Sequence, residues 1–285
     1  MVSKSVLVLL CSLAVANCFD FNGITFGPLN DLLPSLNFFP IDYLLGCKDL
    51  SSGSITNGEV INIIDNSHLV WLFFPINGTH GYACSGTLIG QTTVLTAAHC
   101  VQVKTKGQPI QIYILAQDLS KLSTDTTYIY REESFSTYDK RYDDDNAHDA
   151  GIITFSTPVT TATPIVLNKD CYFPTGTKVQ PQGYGKASDN ATTISKNPRE
   201  VTTSIMDYKI CNTIYLNSLY PNNLCTCGLS NENICGGDSG GPLLLNREQI
   251  GINSFGSIFG CEAYHPSGYT NICDVYDFIE PYLDA

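Results

Sequence analysis

Short apolar runs, four to nine residues long and separated by Gly, Pro and Asn, recur along most of this chain. Positions 69–76, 87–95, 111–116, 127–130 and 152–155 carry β-branched and aromatic residues, with breaks at Asn77-Gly78 and Gly90. The pattern resumes at 178–182, 201–206, 241–245, 249–255 and 268–272. Runs of this length, bounded by turn residues, predict β-strands rather than helices. The stretch 157–164 reads as a link between two halves. Only the tail changes period: apolar residues at 275, 276, 278, 279, 282 and 283 keep helical spacing, and Pro281 limits that helix. Pattern alone therefore predicts an all-β barrel or sandwich with a short terminal helix.

The N-terminus differs. Lys4 precedes an apolar run over 6–16, and Ala14-Val15-Ala16 offers a small-x-small cleavage pattern. The run is too short to span a bilayer and reads as a signal peptide over residues 1–18. Residues 19–54 keep no sustained period and contain Pro28, Pro34 and Pro40, so they read as a loop-rich extension. The chain has 12 Cys among 285 residues, which fits secretion into an oxidising, extracellular compartment. A net charge of −12 disfavours nucleic acid and anionic membranes as partners. Asp143-Asp144-Asp145 reads as a solvated loop. Asn77-Gly78-Thr79 and Asn190-Ala191-Thr192 are N-glycosylation acceptors, at Asn77 and Asn190.

The chemistry concentrates in Cys235-Gly236-Gly237-Asp238-Ser239-Gly240-Gly241-Pro242. Glycines beside a serine let backbone N–H groups converge on one point, as an oxyanion site requires. Upstream, Thr96-Ala97-Ala98-His99-Cys100 supplies a histidine, and His148-Asp149-Ala150-Gly151-Ile152 supplies a carboxylate entering an apolar run. Each piece alone has a bland reading as a turn, a surface histidine or a strand-end carboxylate. Together, in the order His99, Asp149, Ser239, they make a nucleophile, base and orienting group.

On these motifs the chain, from about Ile55 onward, resembles the chymotrypsin/trypsin-like serine endopeptidases. The resemblance implies two packed six-stranded antiparallel β-barrels with a short C-terminal helix. The first barrel would cover about 55–160, the second about 161–272 and the helix 273–285, with 19–54 as propeptide or N-terminal extension. It implies a secreted enzyme made as a zymogen that hydrolyses peptide bonds through an acyl-enzyme; no cofactor is assigned, and no metal, because no acidic loop here matches the calcium loop of some relatives. The alternative is a non-catalytic binding protein on the same fold. His68, His80, His148 and His265 show no metal-ligand spacing. Partners would be polypeptide substrates, an activating protease and protein inhibitors.

Carried over residue by residue, the catalytic group is His99, Asp149 and Ser239. Gly237 and Ser239 form the oxyanion hole, and Ser254 supports the aspartate. The new amino terminus would be Ile55, pairing with Asp238. Here Thr56 and Asn57 depart from the family's usual Val and Gly, and Ser54 stands where a basic residue is usual. Either the activator differs from trypsin, or activation takes another route. Asn233, Ile234, Phe255, Gly256, Ser267 and Gly268 would line the substrate pocket. The neutral Asn233 at its floor points to hydrophobic or aromatic side chains. The resemblance pairs Cys84 with Cys100, Cys211 with Cys225, and Cys235 with Cys261. Cys47, Cys171, Cys227 and Cys273 are left with three possible connectivities.

Overall fold

The computed structural model describes residue 47 and residues 58–77, 80–142, 147–228, 233–263 and 265–283. Two curled antiparallel sheets make up the fold. The first is built from β2 (Leu69–Asn77), β3 (His80–Leu88), β4 (Thr93–Thr96), β5 (Gln111–Ile114), β6 (Ile129–Glu132), β7 (Phe135–Tyr138) and β8 (Gly151–Thr154). They lie in the order β6-β5-β2-β3-β4-β8-β7. Alternation along β2 sends Val70, Leu72 and Phe74 into the core, where they meet Val94, Ile112, Ile114 and Ile153. On the other face Trp71 packs on Tyr113 with ring centroids 4.8 Å apart.

The second sheet contains β9 (Lys178–Gly183), β10 (Arg199–Glu200), β11 (Thr203–Ser204), β12 (Leu224–Thr226), β13 (Pro242–Leu245), β14 (Glu248–Phe255) and β15 (Ser267–Asn271). A short β1 (Glu59–Val60) pairs with β10, so the start of the described domain joins this second sheet. Its core gathers Val179, Leu243, Ile250 and Tyr269. The terminal helix α3 (Ile272–Ile279) continues from β15, yet it buries Ile272, Val275 and Ile279 in the first sheet's core. The helix thus ties one sheet to the other.

Several strand boundaries differ from the sequence pattern. The run 201–206 is not one strand, because its partner is Pro181. Proline has no N–H to donate, so the ladder breaks between β10 and β11 on either side of that position. Positions 87–95 divide between β3 and β4 around a turn containing Gly90. The 127–130 run shifts to β6 at 129–132. Two short helices were not in the pattern: α1 (Ala98–Gln102) and α2 (Tyr208–Ile214). The second begins at Asp207, whose side chain accepts from Lys209 N and Ile210 N. As expected, Pro281 limits the tail helix and sits in a single 3-10 turn, Glu280–Tyr282.

Among the described residues, five disulfides close the structure: Cys84–Cys100, Cys211–Cys225, Cys235–Cys261, Cys171–Cys273 and Cys47–Cys227. The last joins the segment before position 55 to the second sheet's periphery. It resolves the connectivity that the sequence left open.

Candidate active site

His99 lies on α1, immediately after β4, and Asp149 lies at the mouth of β8, β4's partner in the sheet. Strand pairing therefore brings two residues fifty positions apart into contact. His99 Nδ1 is 2.8 Å from Asp149 Oδ2, and the His99 amide donates to Asp149 Oδ1 at 3.0 Å. The carboxylate is fully buried and the imidazole half-exposed. A third donor completes the arrangement: Ser254 Oγ donates to Asp149 Oδ2 at 2.6 Å. Ser254 sits at a register shift in β14, between Asn253 and Phe255, and the bulge aims its hydroxyl at the aspartate. Thr270 Oγ1 donates to the Asp149 carbonyl at 3.2 Å. Burial tends to lower the His99 pKa. The hydrogen bond and charge of Asp149 outweigh it, leaving the value above the ordinary 6.5.

The turn carrying Ser239 packs on β3 and on the β4–α1 junction that carries His99. Ser85 N donates to the Ser239 carbonyl at 2.8 Å, and Cys100 Sγ lies 3.7 Å from the same oxygen. Gly240, at φ +81, must be glycine: a Cβ there would sit 2.0 Å from Thr96 Oγ1 and 2.5 Å from the Ser85 carbonyl. The turn's backbone at Gly240 thereby lies close against Thr96 and Ala97, at the start of α1.

Two peptide units in this turn are fixed by their carbonyls. Lys186 N donates to the Gly236 carbonyl at 2.9 Å. Because a trans peptide points its N–H opposite its C=O, the Gly237 N–H faces the other way. The Asp238 carbonyl accepts from Gly241 N and from Asn253 Nδ2, each at 3.0 Å, which orients the Ser239 N–H in the same manner. Ser85 Oγ adds a bond to the Gly237 carbonyl at 3.0 Å. Among the described residues, the Gly237 and Ser239 amides have no protein acceptor. They are free to bind an oxygen from outside. Ser85, Asn253 and Lys186 were not singled out in the sequence; each acts on a backbone group distant in the chain, which leaves no local motif.

Asp238 is fully buried and accepts from Gly185 N at 2.7 Å and Cys235 N at 2.8 Å. Burial pushes its carboxyl up to about 6, against the pull of those two amides and the Arg199 charge. Ile55, its expected partner, lies outside the described residues, as do Asp143, Asp144 and Asp145. The Arg199 guanidinium donates through Nη1 to the Gly58 carbonyl, holding the chain three residues beyond Ile55.

At the expected pocket floor, Asn233 is buried, with Nδ2 donating to the Cys261 carbonyl at 2.9 Å. Its Oδ1 accepts from Ser267 Oγ at 3.0 Å. The amide's polar atoms are thus tied to the walls. Ile234 is buried beside it, and space above Gly256 is open: a Cβ there would meet only the Ile234 carbonyl, at 3.7 Å. Phe255 turns its ring over Gly268 and packs edge-on against Tyr215, centroids 5.3 Å apart. Gly268 is therefore covered by Phe255. Asn190 lies exposed in a turn, and Asn77 ends β2, with positions 78–79 of its triplet outside the described residues. Cys84 and Cys100 approach His99 at metal-ligating distance, but their sulfurs are spent in a disulfide.

Two curled antiparallel sheets with a buried Asp–His pair beside a serine turn define a chymotrypsin-type architecture. Comparison with known proteins agrees. A family profile described as Trypsin matches residues 55–279. Brachyurin of Leptuca pugilator is 31% identical over 201 residues, covering 70% of this chain and 87% of that protein. Snake venom serine protease serpentokallikrein-2 of Protobothrops mucrosquamatus is 29% identical over 235 residues, covering 81% and 87%. Among solved structures, neuropsin, a serine protease expressed in the limbic system of mouse brain, aligns with a TM-score of 0.69 at 24% identity. It covers 80% of this chain and 98% of that one, and supports the fold. The chain belongs to the trypsin family of serine proteases.

Proposed function

We propose that this chain is a secreted serine endopeptidase, made as a zymogen and cleaving peptide bonds through an acyl-enzyme. The observation that carries this reading is the buried Asp149, bonded at once to His99 Nδ1, His99 N and Ser254 Oγ beside the Ser239 turn. That arrangement keeps the Nδ1 proton on the Asp149 side and leaves Nε2 as the base. Ser239 Oγ attacks the scissile carbonyl carbon while Nε2 takes its proton. The carbonyl oxygen becomes an oxyanion received by the Gly237 and Ser239 N–H groups. The C–N bond then breaks, Nε2 returns the proton to the leaving amine, and water repeats the sequence to release the acid.

The buried carboxyl of Asp238 supports activation by cleavage. A cut before Ile55 would free an ammonium, and from the anchored Gly58 three residues reach at most about 10 Å. Pairing would hold Asp238 charged and lock the serine turn, because a buried charge left without its partner is strongly destabilising. Cys47 lies before that cut and is bonded to Cys227, so the released segment would stay attached. The neutral, internally bonded Asn233 and the apolar Ile234 favour a hydrophobic or aromatic side chain in the pocket. The apolar leader and the disulfides support an extracellular location.

The test is hydrolysis of a peptide library by the processed chain and by its Ser239→Ala variant. Cleavage after apolar residues by the first and none by the second is expected. Equal cleavage by both refutes the proposal, and no cleavage by either favours a binding protein on this fold.

A further inference from the structure

Between β9 and β10 the chain runs out in a loop, and one acidic residue in it, Asp189, reaches across to the segment whose carbonyl holds Asn233. Its Oδ1 accepts from Cys261 N at 2.8 Å, and its Oδ2 accepts from Glu262 N at 3.1 Å. In return, Asp189 N donates to Glu262 Oε2 at 2.9 Å. The clamp is thus reciprocal, with three bonds between two short stretches 72 to 73 positions apart. Gly260, at φ +116, makes the approach possible, since a Cβ there would lie 2.3 Å from Asp189 Oδ2.

The peptide unit joining Cys261 to Glu262 has two ends. Its N–H donates to Asp189, and its C=O accepts Asn233 Nδ2 at 2.9 Å. A trans peptide carries these groups on opposite sides, so the plane that satisfies Asp189 also aims the carbonyl at the pocket floor. Releasing the N–H would remove one of the two bonds that fix this plane and so loosen the hold on Asn233 Nδ2. That side chain's other partner is Ser267 Oγ, a residue of the expected pocket.

We propose that Asp189 is a positioning residue for substrate selection. It couples the order of the 185–195 loop to the orientation of Asn233, so the pocket is shaped only when that loop is in place. The inference rests on the peptidase reading above. Its signature separates it from a structural role, because the carboxylate governs the pocket floor and touches none of the reacting groups. Substrates whose side chain reaches the floor feel its loss, and substrates that leave the pocket empty do not.

The experiment compares Asp189→Ala and Asp189→Asn with the unaltered processed chain. Two peptide anilides are used, one with the best pocket residue found in a library and one with glycine there. For Asp189→Ala, KM for the first is expected to rise about tenfold, the effect of losing one to two charge-assisted bonds, with kcat within about twofold. The glycine substrate should change by less than about twofold, and Asp189→Asn, which keeps one acceptor oxygen, should recover part of the loss. An equal loss on both substrates, or none on either, overturns the proposal. Amide hydrogen exchange at Cys261 and Glu262 reads the clamp without catalysis. Faster exchange in Asp189→Ala is expected, and unchanged exchange overturns the proposal even in a chain with no turnover. Failure of the unaltered chain to cleave any peptide counts against the peptidase reading alone.

Discussion

Replacing Asn253 with alanine separates the orientation of the proposed oxyanion donor from the stability of the fold. The side chain is fully buried, and Nδ2 donates to the Gln182 and Asp238 carbonyls at 3.0 Å each. Losing both bonds strips donors from two buried carbonyls. Asn253 Oδ1, however, is itself buried without a partner, so its removal offsets part of the cost. The net destabilisation is about 1–3 kcal/mol, with the fold intact. The kinetic consequence is larger. The peptide between Asp238 and Ser239 retains only the Gly241 N bond to its carbonyl, and the Ser239 N–H loses half of its fixing. Full loss of an oxyanion donor costs about 10²–10³ in kcat, so partial misorientation should cost about 10–100-fold. The lost interaction belongs to the transition state, so KM should move by less than about threefold. Steady-state kinetics on a peptide anilide, alongside urea unfolding, measures both quantities. A kcat within twofold of the unaltered chain, together with the expected loss of stability, would refute the reasoning and leave Gly241 as the sufficient anchor.

Two further outcomes follow from the geometry. As the proposed base, His99 must be neutral to accept a proton, and Asp149 raises its pKa above 6.5, so kcat/KM should rise with pH through a midpoint above that value; a midpoint below 6.5 in a pH–rate profile contradicts the Asp149 contact. The Cys47–Cys227 bond closes a loop spanning 180 positions, so by chain entropy Cys47→Ser should destabilise the uncleaved chain by up to about 5 kcal/mol. It should cost the processed chain far less, because a cut before Ile55 opens that loop, and equal losses in both forms by denaturant titration would place the cut elsewhere.

Much of the site was legible because its chemistry sits in short contiguous motifs. His99, Asp149 and Ser239 each carry neighbours that mark them, and the structure brings His99 onto Asp149 through the β4–β8 pairing. Ser254 was legible by resemblance, although its aim depends on a bulge that no strand pattern displays. Asn253, Ser85 and Lys186 escaped because they act on carbonyls 15, 152 and 50 positions away by number, where only the folded register makes neighbours. Cys47 had the same difficulty: spacing cannot choose among four leftover thiols, and the fold pairs it with Cys227. Among the strands, the ladder break opposite Pro181 was hidden because the 201–206 run shows its own β-propensity and not its partner's missing donor. The α2 helix was missed although Asp207 marks its start, because seven residues are too few to display a helical period.

The most direct test of the central claim is covalent labelling of the secreted protein with a serine-reactive phosphonate, before and after limited proteolysis. The labelled peptide and the amino terminus are both read by mass spectrometry. The account predicts label on Ser239, confined to a chain beginning at Ile55. Absence of label from a chain that does begin at Ile55 would contradict it.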